Sequence, residues 1–258
     1  MSTNHQHIHF RIDDRAARIT FARPPLNILN IEMMKEIVKV LGECSRHDLI
    51  AIVFDAEENS RAFSAGVAVE EHVPETVFQM LDAFHAIFRQ LDQLAKPTIA
   101  LVDGLALGGG CEFVAACDIV IASDRARFGQ PEIKLAVFPP VAAILLPAII
   151  GEKRARELIL TGEMIDAAEA RSWGLCNHVV APNQLEQKAQ EVLGKLREHS
   201  GVAVEFARRA LDLGRGRTLD SALKDQENIY LHELMKTQDA HEGVKAFMEK
   251  RRPVWRNR

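Results

Sequence analysis

The chain has no Cys-x-x-Cys pair and no Cys/His finger spacing, although it holds four cysteines, Cys44, Cys111, Cys117 and Cys176. That spacing rules out a metal finger or a dithiol redox centre. Four thiols in 258 residues read as small buried apolar groups in a protein of a reducing compartment. Positive charge is also scarce: 32 Lys and Arg stand against 36 Asp and Glu, for a net charge of -4. Such a balance lacks the concentrated basic surface that phosphate backbones require, so nucleic acid is not an expected partner. No apolar run approaches the roughly 20 residues that span a bilayer, so a membrane is not expected either. The opening "MSTNHQHIHF" has no apolar centre of the signal-peptide kind, and the expected location is the cytoplasm. Its histidines sit in a frayed lead-in without rigid supporting partners, so no metal site is expected there. Repeats, low-complexity tracts and long linkers are missing too. The basic "EKRRPVWRNR" at the other end reads as a solvated tail or a subunit contact.

What is present is an ordered alternation of strand and helix signals. "HIHFRIDDRAARITFARP" alternates apolar and polar residues around an acidic turn and predicts a β-hairpin. "LNILNIEMMKEIVKVLGECSRH" switches to a helical period, with Ile31, Met34, Ile37, Val38 and Leu41 on one face. "LIAIVFDA", "TIALVDG" and "CDIVIAS" are short apolar strands of the type buried on both faces of a parallel sheet. "PETVFQMLDAFHAIFRQLDQLA" predicts an amphipathic helix with the stripe Val77, Leu81, Phe84, Ile87, Phe88, Leu91 and Leu94. From Gly151 onward strands nearly vanish. Asp166 and Glu169 form a capping box, Gly174 a helix stop, and helical patterns cover 184–198, 202–213, 219–236 and 240–250. The layout predicts an α/β fold: a β/α core over 1–195 and a helical C-terminal segment over 196–258.

Two glycine-bearing loops each follow a buried strand, "AFSAGVAV" and "LGGGCE". In the second, three glycines run into a helix-like stretch, where unpaired N–H groups and the positive end of the helix dipole point outward. No G-x-G-x-x-G and no G-K-[ST] accompanies them, which argues against a nucleotide loop. Two readings remain: an oxyanion hole built from the N–H groups of two loops, or a tight turn packing a helix onto a sheet. Glu112 falls in the first turn of that helix. It reads either as a solvent-facing complement to the dipole or as a buried functional acid, and the apolar "FVAAC" after it favours the second. Glu132, in "GQPEI", is on its own an ordinary loop acid.

Together these residues resemble the crotonase (enoyl-CoA hydratase/isomerase) superfamily over almost the whole length. The matching stretches include "ITFARPPLNILN", "RAFSAGVAV", "KPTIALVDGLALGGGCEFVAACDIVIASDRARFGQPEI", "LTGEMIDAAEARSWGLCNHVV" and "EGVKAFMEKRRP". The resemblance implies a crotonase-like spiral of ββα units whose C-terminal helices assemble trimers, commonly paired into hexamers, and an acyl-coenzyme A thioester as ligand. It implies no cofactor, since coenzyme A arrives as part of the substrate. The oxyanion hole would come from the backbone N–H groups of Val67 and Gly109. Leu26, Ala62, Ala65 and Val67 would contact coenzyme A, and Lys250 would reach its nucleotide end. Hydratases of the family carry glutamates at Glu112 and Glu132, here assigned as the base on water and the proton donor.

The chain also departs from the common pattern. Pro140 stands where ordinary members have a glycine whose N–H helps hold the water, and proline has no N–H. Ala68 stands where an aspartate is usual. "FSAGVAVEEH" with "GQPEIKLAVFPP" is similar to the branch that hydrates cyclohexa-1,5-diene-1-carbonyl-CoA in anaerobic benzoyl-CoA breakdown. On that reading Phe138, Pro139, Val141 and the following leucines form an apolar wall for a flat ring; otherwise they fill core. His72 is either at the pocket mouth or an exposed loop residue.

Overall fold

The computed structural model describes residues 5–45 and 48–258. The first residues of the histidine-rich lead-in and the end of the first helical stretch, "RH", lie outside them. Asp14 and Arg15 take positive φ (41° and 63°), the twist a two-residue hairpin needs, and join β1 (Ile8–Asp13) to the antiparallel β2 (Ala16–Phe21). Helix α1 (Ile31–Glu43) starts at Asn30, whose side chain accepts from Met33 N. It buries Met33, Met34, Ile37, Val40 and Leu41. Ile31 and Val38, expected on that face, are half-buried at its edge.

The chain then repeats one plan. β3 (Ala51–Ala56) and β4 (Ala62–Ser64) precede α2 (Val77–Leu94); β5 (Thr98–Val102) and β6 (Leu105–Leu107) precede α3 (Gly109–Ala115). β7 (Ile119–Ser123) and β8 (Arg127–Gly129) precede α4 (Pro140–Ile150) and α5 (Glu152–Thr161). β9 (Met164–Asp166), α6 (Ala167–Trp173), β10 (His178–Val180) and α7 (Leu185–Arg197) complete the core. The first strand of each unit enters a sheet of order β1-β2-β3-β5-β7-β10, parallel from β2 onward. The second enters a smaller sheet of order β4-β6-β8-β9, in which β4, β6 and β8 run parallel. Two strands per helix make a ββα spiral; simple alternation of strand and helix is replaced because each short strand crosses to the other sheet.

The main core lies between these layers. Phe113 of α3 meets Phe54, Phe21 and Phe63 with ring centroids 4.8, 5.4 and 6.1 Å apart. Edge-on packing of this kind adds to area burial. All seven residues of α3 are buried, so the helix that carries Glu112 is anchored on every face.

The division expected after residue 195 falls in the last turn of α7, and the helical segment begins with α8 (Gly201–Leu213), followed by α9 (Leu219–His232) and α10 (Gln238–Met248). Polar ties hold it to the core. The buried Lys96 meets Glu205 at 2.7 Å, and Arg208 meets Asp118 at 2.9 Å while Asp118 also accepts from Thr98 N. Among the described residues no helix is long and apolar enough to cross a membrane.

Candidate active site

Three loops leave the carboxyl ends of the parallel strands β4, β6 and β8, and the small sheet thereby sets them side by side. The first carries Val67, the second the glycine triplet and Glu112, the third Glu132.

In the first loop, Gly66 O accepts from Leu29 N (2.9 Å) and Ala68 N donates to Leu29 O (3.0 Å), a parallel bridge opposite Val67. Backbone groups alternate along an extended strand, so the N–H of Val67 points away from Leu29. The second loop turns at Gly108, whose φ of 50° and ψ of -127° suit only glycine, and enters α3 at Gly109. No described residue accepts from the N–H of Val67 or of Gly109. The loops touch closely: a Cβ on Gly109 would lie 2.7 Å from Val67 Cγ2, and one on Gly110 would lie 2.2 Å from Ser64 O. Gly110 therefore permits close packing of the helix, while the N–H of Gly109 meets no acceptor among the described residues.

Glu112 is 2% exposed, which excludes the solvent-facing alternative. Its Oε1 accepts from Val141 N (2.8 Å) and Ala142 N (2.9 Å), the second and third residues of α4. Those are orphan donors of a helix start, and Pro139 at the cap position offers no side-chain acceptor. Glu112 thus caps α4 from another element. Pro140, at the first position of α4, occupies the place where a missing N–H costs least.

Glu132 lies in a short 3₁₀ turn after β8, with its Oε1 2.6 Å from where a Gly108 Cβ would be. Its Oε2 is buried and without a partner among the described residues. Burial pushes the Glu112 carboxyl up to about 7, with the charge of Glu132 adding and the amides of Ala142 and Val141 opposing. Burial likewise pushes Glu132 up to about 7. The buried thiol of Cys111 is driven far above its ordinary range by burial, and the charges of both glutamates reinforce this.

The remaining candidates divide. Leu26 and Ala65 are half-buried neighbours, with Ala65 N donating to Leu26 O (2.9 Å). Ala62 is fully buried and its carbonyl accepts from Asn27 Nδ2 (2.9 Å). Lys250 is exposed after α10, and no hydrogen bond or ion pair between described residues links it to the loops. Phe138 is 67% exposed and so does not fill core, whereas Pro139 is buried and Val141 packs against the core. His72 is tied to its own loop through Nδ1 and Ala68 O (2.9 Å). Among the described residues no three His, Cys, Asp or Glu side chains gather to hold a metal ion.

Sequence reasoning missed three contributors. Gly108 was visible as one of the triplet, though its contact with Glu132 was not. The amides of Val141 and Ala142 were signalled only by "PP" before an apolar run. Gln130, fully buried with both amide atoms unpartnered among the described residues, had no signal at all.

Two buried carboxyls pushed up to about 7, in loops that also present two unbonded main-chain N–H groups on a ββα spiral, define an acid–base enzyme. The chain belongs to the enoyl-CoA hydratase/isomerase family, whose sequence profile matches residues 11–258, and it is a hydro-lyase. It is 38% identical to the cyclohexa-1,5-dienecarbonyl-CoA hydratase of Thauera aromatica over 95% of both chains. It is 36% identical to the short-chain-enoyl-CoA hydratase of Clostridium acetobutylicum, over 93% of this chain and 94% of that one. The crystal structure of the enoyl-CoA hydratase from Bacillus anthracis superposes with a TM-score of 0.91 at 31% identity, over 98% of this chain and 100% of that one.

Proposed function

We propose that the protein adds water to a cyclic conjugated dienoyl thioester, converting cyclohexa-1,5-diene-1-carbonyl-CoA to 6-hydroxycyclohex-1-ene-1-carbonyl-CoA. Glu112 takes a proton from water, and the hydroxide oxygen joins ring carbon 2, beside the carbon that bears the thioester. Electrons move through carbon 1 to the thioester oxygen. The N–H groups of Val67 and Gly109 receive that charge, each donor being worth about 2.7–4 kcal/mol in comparable holes. Glu132 then protonates carbon 5, and a double bond remains between carbons 1 and 6. The observation that carries this reading is the pair of carboxyls held near 7, one gripped by α4 and the other left with a free buried oxygen.

The ring is supported by the loop after Glu132. With Pro140 in place the amide of that position cannot hold water, and Phe138 offers an exposed apolar face near the acids. The 38% identity to the Thauera relative points the same way, although the straight-chain relatives match almost as well. Leu26, Ala62, Ala65 and Val67 line the coenzyme A path and Lys250 meets its phosphates. Coenzyme A enters only as part of the substrate, and the chemistry asks for no cofactor. The protein works in the cytoplasm, in the breakdown of aromatic rings.

We further propose that it assembles as a homotrimer or homohexamer. An apolar groove of about 560 Å³ runs between α8 and α9, lined by Phe206, Ile229, Tyr230 and Leu234 among others. Contiguous apolar surface of this kind is covered in stable proteins.

The deciding experiment incubates the enzyme with the cyclic dienoyl-CoA and with crotonyl-CoA in deuterated water. Hydration of the ring with deuterium at carbon 5 is expected. Fast crotonyl-CoA hydration without turnover of the ring would replace this reading with straight-chain enoyl-CoA hydration, in which deuterium enters beside the thioester.

A further inference from the structure

We propose that Glu71 is a positioning residue: it latches the loop that carries Val67 onto the start of α1 and so fixes the direction of the Val67 N–H. This rests on the reading of that N–H as a donor to the thioester oxygen.

Both carboxylate oxygens of Glu71 accept from the N–H of Ile31, at 3.1 and 3.0 Å. Ile31 is the first residue of α1, and its N–H is one of the donors a helix start leaves unpaired. Asn30 satisfies Met33 N, and Glu71 supplies the acceptor for Ile31, where a negative charge is favoured. Two residues before Ile31, Leu29 is bonded on both sides of Val67, to Gly66 O and to Ala68 N. Residues 29–31 and 66–71 therefore close a ring of hydrogen bonds with Val67 inside it. One turn of 3₁₀ helix, Val69–Glu71, spans the gap, with Glu71 N on Ala68 O at 3.2 Å.

The stretch is otherwise held by local bonds, His72 Nδ1 with Ala68 O (2.9 Å) and Thr76 Oγ1 to Glu71 O (3.0 Å). Val69, Glu70 and residues 73–75 are exposed, and Glu71 is only half-buried. A loop with few buried apolar contacts opens easily, so an acceptor for the Ile31 N–H at its far end has leverage over the residues before it. The direction of the Val67 N–H is sensitive because its side chain already fits tightly against Gly109. A donor to an oxyanion acts over a narrow range of distance, and small misplacement is costly.

The test compares the wild type with Glu71→Ala, Glu71→Gln and, as a surface control, Glu70→Ala. Glutamine keeps an acceptor for Ile31; alanine does not. Two readouts are taken: amide hydrogen exchange in peptides containing Ala68, by mass spectrometry, and steady-state hydration of the accepted enoyl-CoA. In Glu71→Ala we expect faster exchange, a fall in kcat of about tenfold and KM within about threefold of wild type. The glutamine variant stays within about threefold of wild type in kcat, and the control is unchanged. Unchanged exchange in Glu71→Ala overturns the latch. Faster exchange with normal kcat overturns the positioning role. An equal loss in both Glu71 variants means the charge itself acts, which also overturns the proposal. Failure of the wild type to hydrate any enoyl-CoA falls instead on the reading of the site, and the exchange comparison still decides the latch.

Discussion

At the scale of single residues the site is a matter of where protons rest. Glu112 and Glu132 are both pushed up to about 7 by burial, so near neutral pH the pair holds a proton to give and a carboxylate to receive one. With one carboxyl required charged and the other protonated, kcat/KM should trace a bell with its apex near that pH. Glu112→Gln and Glu132→Gln should each lower turnover by about 10²–10⁴-fold while acyl-CoA binding, followed by calorimetry, persists. Stability should respond to the same groups. Below the ordinary value of 4.5 both folded and unfolded chains hold the protons. Between there and about 7 the unfolded chain releases them while the folded one retains them, so the wild type loses stability as pH rises through this window. A glutamine carries no such proton, and the melting temperature of Glu112→Gln relative to wild type should climb between pH 5 and pH 8. Gly108 governs the approach of the second acid. Glycine-only backbone and a Cβ position 2.6 Å from Glu132 Oε1 mean that Gly108→Ala must displace the carboxyl. A loss of about 10²-fold in turnover is expected, measured beside an unchanged affinity for coenzyme A thioesters.

At the scale of elements, Glu112 has a second task, as the cap of α4. Glutamine can still accept from Val141 and Ala142, but alanine leaves both donors without their acceptor. Glu112→Ala should therefore be less stable than Glu112→Gln by about 0.5–2 kcal/mol in denaturant titrations, though both are inactive. Equal stabilities would show that α4 does not depend on this cap. This helix also marks where sequence reasoning stopped. The hairpin, the stripe of α2 and the capping box at Asp166 were legible because each has a period or a pairwise signature longer than a turn. "PVAAILLPAII" is apolar throughout and holds Pro147, so it shows no amphipathic period and reads as a wall instead of a helix. β4, β6, β8 and β9 have three residues each, too few for alternation to register, and with them the second sheet went unseen. Glu112 was legible because a carboxylate between a glycine turn and "FVAAC" has nowhere polar to go. Glu71 was not, because its partner is a backbone N–H 40 residues away.

At the scale of the whole molecule, the helical segment meets the core through Val204 and several ion pairs and leaves apolar side chains outside. Phe247 is 86% exposed, and Leu211, Leu219 and Tyr230 lie open as well. Sedimentation should give a particle of about three or six chains, and a charge placed at Phe247 or Tyr230 should shift it toward smaller species. A monomer with full activity would contradict the proposed assembly. One further property runs through the entire chain. Burial raises all four thiols, Cys44 and Cys176 to about 12 and Cys111 and Cys117 further. Only the ionised sulfur is a strong nucleophile. An olefin conjugated to a carbonyl is an alkylating agent, and Cys111 is next in sequence to Glu112. Thiols held protonated by burial are poor nucleophiles toward the electrophile the protein is proposed to hydrate.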